Sequence, residues 1–136
     1  MGNEPVTVLD THAAIWWMAD TAKLSAKAKR AIQASVSAGD LVMSAASVLE
    51  IATLVRRGRL ELNRDLGEWL DDVQSLPELR IEPVTAAIAA RAGSFEAEVQ
   101  GDPIDRLIIA TAVVLDESLV TADERIQSLD WLRTVW

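Results

Sequence analysis

The chain has 136 residues, the size of one ordinary domain, and is 50% hydrophobic and 25% charged, so it can bury a core and is globular rather than disordered. It has no cysteine, which excludes disulfides, zinc–thiolate sites and cysteine nucleophiles. The N-terminal stretch MGNEPVTVLD has no basic region, no long apolar run and no Ser or Thr placed for myristoylation, and no apolar stretch reaches the roughly 18 residues of a membrane span, so a cytoplasmic protein is expected.

The formal net charge of −8 argues at first against nucleic acid. Its distribution argues otherwise. Between Lys23 and Arg64 there are eight basic residues and three acidic ones, a surplus of five positive charges. A phosphate backbone can approach that sector, although a solvated helix face reads the same way.

Val6 to Leu9 is a short β-branched apolar run and predicts a buried first strand ending at Asp10. Thr11 or His12 then opens a helix through Trp16, Trp17 and Met18. Ser25 is placed to cap a helix over 26–38, which Gly39 stops. Leu41 to Met43 predicts a second strand. A helix follows from about Ala45 to Arg57, with Val48, Ile51, Ala52 and Val55 at helical spacing and Gly58 as its stop. Asn63 is expected to cap a helix carrying Leu66, Trp69, Leu70 and Val73. Ile81 to Val84 predicts a strand, and Thr85 caps a helix over 86–92. Asp102-Pro103 is a helix start, a capping carboxylate followed by proline at the first helical position. That helix runs to about Leu115 and is apolar nearly all round, so it is buried or packed at an interface. Leu119 to Thr121 predicts a strand before Asp123, and Arg133 to Trp136 an edge strand. Strands alternating with helices predict an α/β fold, a three-layer α/β/α sandwich around a mostly parallel sheet. Ligands of such sheets bind beyond the carboxyl ends of the strands.

Four acids lie among apolar or small neighbours: Asp10 ends VTVLD, Glu50 sits in SAASVLEIATLV, Asp105 in DPIDRLIIATA, and Asp123 ends LVTAD. A buried carboxylate is costly unless it is paired or bound to metal. Arg106 is the one basic residue in these contexts. With one histidine and no cysteine, the ligands are oxygens, which suit Mg²⁺ or Mn²⁺ rather than Zn²⁺. A water activated by such an ion can attack phosphorus in line. Each acid also has a plainer explanation. Asp10 can cap the helix after it, Ser47 to Glu50 matches a capping box, Asp105 can complement a helix dipole, and Asp123 can be a turn residue.

The segments VLDTHAAIWW at 8–17, SAASVLEIA at 44–52, GDPIDRLIIATA at 101–112 and LVTADERI at 119–126 together resemble PIN-domain ribonucleases of the VapC toxin type. They occur in the family's order and span the chain nearly end to end, which makes 1–136 a single PIN domain. The resemblance implies that Asp10, Glu50, Asp105 and Asp123 are catalytic and metal-binding; of these, Asp10 and Asp105 are the strongest candidates for direct contact and Asp123 is a candidate for acting through water. It implies a Mg²⁺- or Mn²⁺-dependent endoribonuclease, a homodimer, and a cognate antitoxin that blocks the site. Thr121 is carried over as a residue holding a water or phosphate. Where the family often has a basic pair before the DPxDR segment, this chain has Val99-Gln100-Gly101, which offers no cation for a phosphate there.

Arg106 can steady the carboxylates or grip a phosphate, and Arg56, Arg57 and Arg59 are placed to track RNA. His12 is expected to cap or pack the first helix rather than act as a base or ligand. Trp16 and Trp17 can stack on bases but fit core packing or a dimer interface better, and Trp69 fits the core or an antitoxin groove. Two other functions stay open at this level: a PIN-like RNA-processing nuclease without an antitoxin, and a non-catalytic module binding RNA or protein.

Overall fold

The computed structural model describes residues 6–97, 99 and 101–136. Residues 1–5, and with them most of the N-terminal stretch read above, lie outside the described residues, as does Gln100 of the Val99-Gln100-Gly101 departure.

Among the described residues, five strands form one sheet: β1 (Thr7–Leu9), β2 (Leu41–Ser44), β3 (Leu79–Glu82), β4 (Ser118–Val120) and β5 (Thr134–Val135). Their order is β3-β2-β1-β4-β5 and every pairing is parallel, as alternating strands and helices predict. The helices are α1 (Thr11–Met18), α2 (Ala26–Ala38), α3 (Ala45–Arg56), α4 (Leu66–Gln74), α5 (Ala86–Ser94), α6 (Pro103–Leu115) and α7 (Glu124–Gln127).

Strand residues alternate between two cores, because successive side chains leave a strand on opposite faces. Leu9, Leu41, Met43 and Val120 join the core under α1, α2 and α4. Val8, Val42 and Leu119 join the core under α6 and α7. The sheet is therefore covered on both faces, which is why its strands read as unbroken apolar runs. Trp16, Trp17 and Trp69 pack against the first core, in line with the packing expectation for all three.

β1 is the central strand. β2 follows on one side of it, and β4 is added on the other. The chain thus reverses direction across the sheet at β1, and the carboxyl ends of β1 and β4 border the crevice where open parallel sheets bind ligands.

Three expectations need correction. α4 is capped by Asp65 rather than Asn63: Asp65 Oδ1 accepts from Glu68 N at 2.9 Å, the spacing of an N-cap to N3 bond. β3 spans Leu79–Glu82 rather than 81–84, since Pro83 has no N–H to continue the ladder. The turn after Asp123 is a short helix, α7, capped by Asp123 itself.

Candidate active site

Asp10 stands where β1 ends and α1 begins. Its Oδ1 accepts from Thr11 N at 2.8 Å, so the helix-capping role holds. That bond uses one oxygen. The other, Oδ2, accepts from Thr121 Oγ1 at 2.7 Å, across 111 residues of sequence. Thr121 is fully buried one residue beyond β4, and its hydroxyl also accepts from Asp123 N at 3.1 Å. One threonine thus fixes the first acid and the backbone of the last. The Thr121 hydroxyl, expected to hold a water or phosphate, bonds a carboxylate and a backbone N–H within the protein.

Glu50 lies in the second turn of α3. The helix begins at Ala45, where Ser44 Oγ accepts from Ala46 N at 3.0 Å. A capping box from Ser47 is therefore excluded, and Glu50 has no capping task. Ser47 is instead buried and accepts from Thr11 Oγ1 at 2.9 Å. That bond joins the first turn of α1 to the first turn of α3, and so joins the helices that follow Asp10 and carry Glu50. Sequence spacing gave no sign of it.

Asp105 is the third residue of α6. Asp102 Oδ1 accepts from its backbone N at 2.9 Å, the capping bond foreseen for Asp102-Pro103. The carboxyl of Asp105 lies against Gly101, whose φ is +136°. A Cβ at Gly101 would stand 2.8 Å from Asp105 Oδ2, so only glycine leaves room for the acid where it is. Asp123, the fourth acid, bonds Arg125 three ways: Oδ1 accepts from the backbone N at 2.9 Å and from Nε at 3.4 Å, and Oδ2 from Nη2 at 3.1 Å.

The charges of Asp10, Glu50 and Asp123 all bear on Asp105. Asp105 is pushed up to about 6, first by burial, then by the negative charges of Asp102, Asp10, Glu50 and Asp123. Asp10 is also raised, chiefly by burial, against the lowering effect of the Thr121 bond. Asp123 is lowered, chiefly by its bonds from the Arg125 side chain. Asp10 and Asp123 lie just beyond the carboxyl ends of β1 and β4 and are linked through Thr121. Among the described residues, no three acids stand close enough to ligate one ion directly. The donor set is all oxygen and anionic, as Mg²⁺ and Mn²⁺ prefer, and Mg²⁺ keeps several waters that can bridge to carboxylates beyond direct reach.

The predicted basic residues fare unevenly. Arg106 does not steady the carboxylates. Its Nε donates to Ala92 O at 3.0 Å, Nη1 to Val99 O at 2.7 Å and Nη2 to Phe95 O at 2.6 Å, so the guanidinium ties the α5–α6 connection to α6. Arg64 leaves the basic sector for two acids of α4, Glu68 at 2.8 Å and Asp72 at 2.6 Å. Arg56, Arg57 and Arg59 are exposed at the far end of α3. From Glu50 to Arg56 the helix advances about 9 Å, so these arginines lie beyond the acids rather than among them. His12 is exposed with its ring 5.8 Å from that of Trp16, as a packing residue of α1 would be. Sequence reasoning missed Arg125, although it lies two residues after Asp123 in a segment already singled out.

Three comparisons bear on this geometry. The fold matches VapBC2 from Rickettsia felis bound to a promoter DNA fragment, with a TM-score of 0.69, 16% identity, and 95% and 96% of the two chains covered. It also matches VapBC-1 from nontypeable Haemophilus influenzae, with a TM-score of 0.66, 18% identity and the same coverage. These likenesses establish a fold class. In sequence, the PIN domain family matches residues 7–132. Ribonuclease VapC22 of Mycobacterium tuberculosis is 37% identical over 131 residues, covering 95% of this chain and 97% of that protein. The chain belongs to the PIN domain family, in its VapC ribonuclease branch.

Proposed function

We propose that this protein is the endoribonuclease toxin of a toxin–antitoxin pair, and that Asp10, Glu50, Asp105 and Asp123 form its Mg²⁺- or Mn²⁺-dependent centre. The observation that carries the reading is that the charges of Asp10, Glu50 and Asp123 all bear on Asp105, whose carboxyl is pushed up to about 6 first by burial, then by Asp102 and by these three acids. A site that keeps like charges together at that cost gains from a cation. The 37% identity to a protein named as a ribonuclease supports the reaction class.

A divalent ion, when bound, supplies Lewis-acid charge that activates water and offsets charge on a phosphate. The chain's own residues bind and orient. Thr121 holds Asp10 Oδ2 toward the site, Asp102 fixes the backbone of Asp105, and Gly101 leaves space for its carboxyl. Arg56, Arg57 and Arg59 extend the surface along which RNA runs, and their exposure supports that role. The antitoxin is the expected partner, since the matched structures are of VapBC proteins. A cleft lined by Ile15, Met18, Leu60, Glu61, Asn63 and Trp69 is a candidate surface for that partner. The reading places a single-domain homodimer in the cytoplasm, and among the described residues no helix is long and apolar enough to cross a membrane.

The deciding experiment is RNA cleavage by the purified chain and by its Asp10→Asn and Asp105→Asn variants, with Mg²⁺, with Mn²⁺ and with excess EDTA. The expected result is cleavage leaving 5′-phosphates, lost in both variants and in EDTA. Full activity in either variant ends the site assignment. Full activity in EDTA, or 2′,3′-cyclic phosphate ends, rules out the metal mechanism.

A further inference from the structure

Arg125 is the cation that the acid cluster itself carries. Its Nη2 and Nε donate to the two oxygens of Asp123 at 3.1 Å and 3.4 Å. The side chain is 68% exposed, against 27% for Asp123, so one face of the guanidinium meets solvent at the mouth of the site. An exposed ion pair contributes only about 0–1 kcal/mol, so opening it costs little. Asp123 does not depend on the side chain to cap α7, because the backbone N of Arg125 makes that bond separately at 2.9 Å. Arg106, the other arginine of the two acidic segments, is held by three backbone carbonyls on α5 and the connection after it.

These facts leave an exposed, fork-shaped cation paired with Asp123 alone. A phosphodiester approaching the acid cluster is repelled unless a positive group meets it. A guanidinium that already bonds two carboxylate oxygens matches two phosphate oxygens with the same geometry. We propose that Arg125 is a phosphate-binding residue of this site, exchanging the Asp123 carboxylate for a phosphodiester oxygen as single-stranded RNA enters. The exchange frees Asp123 Oδ2 as the site fills, while Oδ1 keeps the backbone bond that caps α7. The inference rests on the nuclease reading above and names one contact that reading lacks.

The test is equilibrium binding of a short labelled single-stranded RNA of mixed sequence, followed by anisotropy in Mg²⁺ across a salt series. An Asp10→Asn background suppresses turnover. Arg125→Ala in that background weakens binding by about tenfold, as for loss of a charged hydrogen bond. It also makes the slope of log Kd against log salt shallower by about 0.7, the single-strand increment for one phosphate. Arg125→Lys keeps the slope, because it keeps the charge. An unchanged slope in Arg125→Ala overturns the proposal, even with weaker binding, since a merely structural ion pair releases no counterion. Absence of any RNA binding in the Asp10→Asn background overturns it too. Cleavage of the probe in that background instead strikes the acid assignment, and the salt slope of the uncleaved RNA still decides Arg125.

Discussion

Thr121 shows how much one hydroxyl can organise. It donates to Asp10 Oδ2 and accepts from Asp123 N, so its loss loosens the first and last acids together. Thr121→Val keeps the shape and removes both bonds. Asp10 then rises further, because the Thr121 bond is the largest of the effects that lower it against burial. Cleavage falls by about 10- to 100-fold, the usual cost of losing a partner that orients a metal-binding residue, while Thr121→Ser retains most activity. Equal activity in the valine and serine variants would contradict the positioning role. Gly101 offers a second probe that touches no acid. Gly101→Ala places a methyl 2.8 Å from Asp105 Oδ2 on a backbone at φ +136°. The carboxyl must move, and a shift of about 1 Å can cost on the order of a hundredfold in rate. Comparing turnover with the thermal midpoint separates the two effects: a lower midpoint with unchanged turnover means that Gly101 matters only for the backbone.

At the level of elements, α6 joins stability to the site. Asp102 caps the helix through the N–H of Asp105 and also raises the pKa of the Asp105 carboxyl. Two substitutions separate these roles. Asp102→Asn keeps a capping oxygen and removes the charge, so the fold holds and Asp105 titrates closer to its ordinary value. Asp102→Ala loses the cap as well and costs about 1 kcal/mol in urea unfolding. Carboxyl NMR titration of Asp105 reads the first effect; no downward movement in either variant means the Asp102 charge does not reach it. The Asp102-Pro103 start was legible in the sequence because capping is a local rule, and so were Ser25, Gly39 and Thr85. The β3 boundary was read two residues late because its apolar residues were followed without regard to Pro83. α7 was missed because four residues show no helical period. The bonds from Thr121 to Asp10 and from Thr11 to Ser47 join segments 111 and 36 residues apart, and no spacing rule reports such contacts. The four acids were found by their apolar settings together with the ordered family segments, whereas Arg125 was passed over because an exposed arginine next to acids looks like ordinary surface.

In the whole molecule, the acid cluster sets stability against function, and pH exposes the conflict. Asp105 sits at about 6 in the folded chain against an ordinary 3.8, first through burial and then through the surrounding carboxylates. Between those values the folded state keeps a proton that the unfolded state gives up. Stability without metal therefore falls as pH rises from about 4 to 6, and the loss persists above 6. Asp10, also raised by burial, acts in the same direction. Asp123 acts in the opposite sense: its lowered carboxyl adds stability above its ordinary value, and that stability is lost as pH falls through its folded pKa, so it leaves the slope above pH 4 to the other two. In EDTA, urea unfolding of the native chain should thus weaken from pH 5 to pH 7. Asp105→Asn should flatten that decline and gain about 1 kcal/mol at pH 7, a figure reduced because the carboxyl is only half-buried. Adding Mg²⁺ should restore the native chain at pH 7, by mass action on the folded state, and should do far less for the variant. A native chain that is as stable at pH 7 as at pH 5 without metal would mean the four charges do not oppose one another. The convergence of acids would then lose its claim to be an ion-binding centre, whatever the family resemblance.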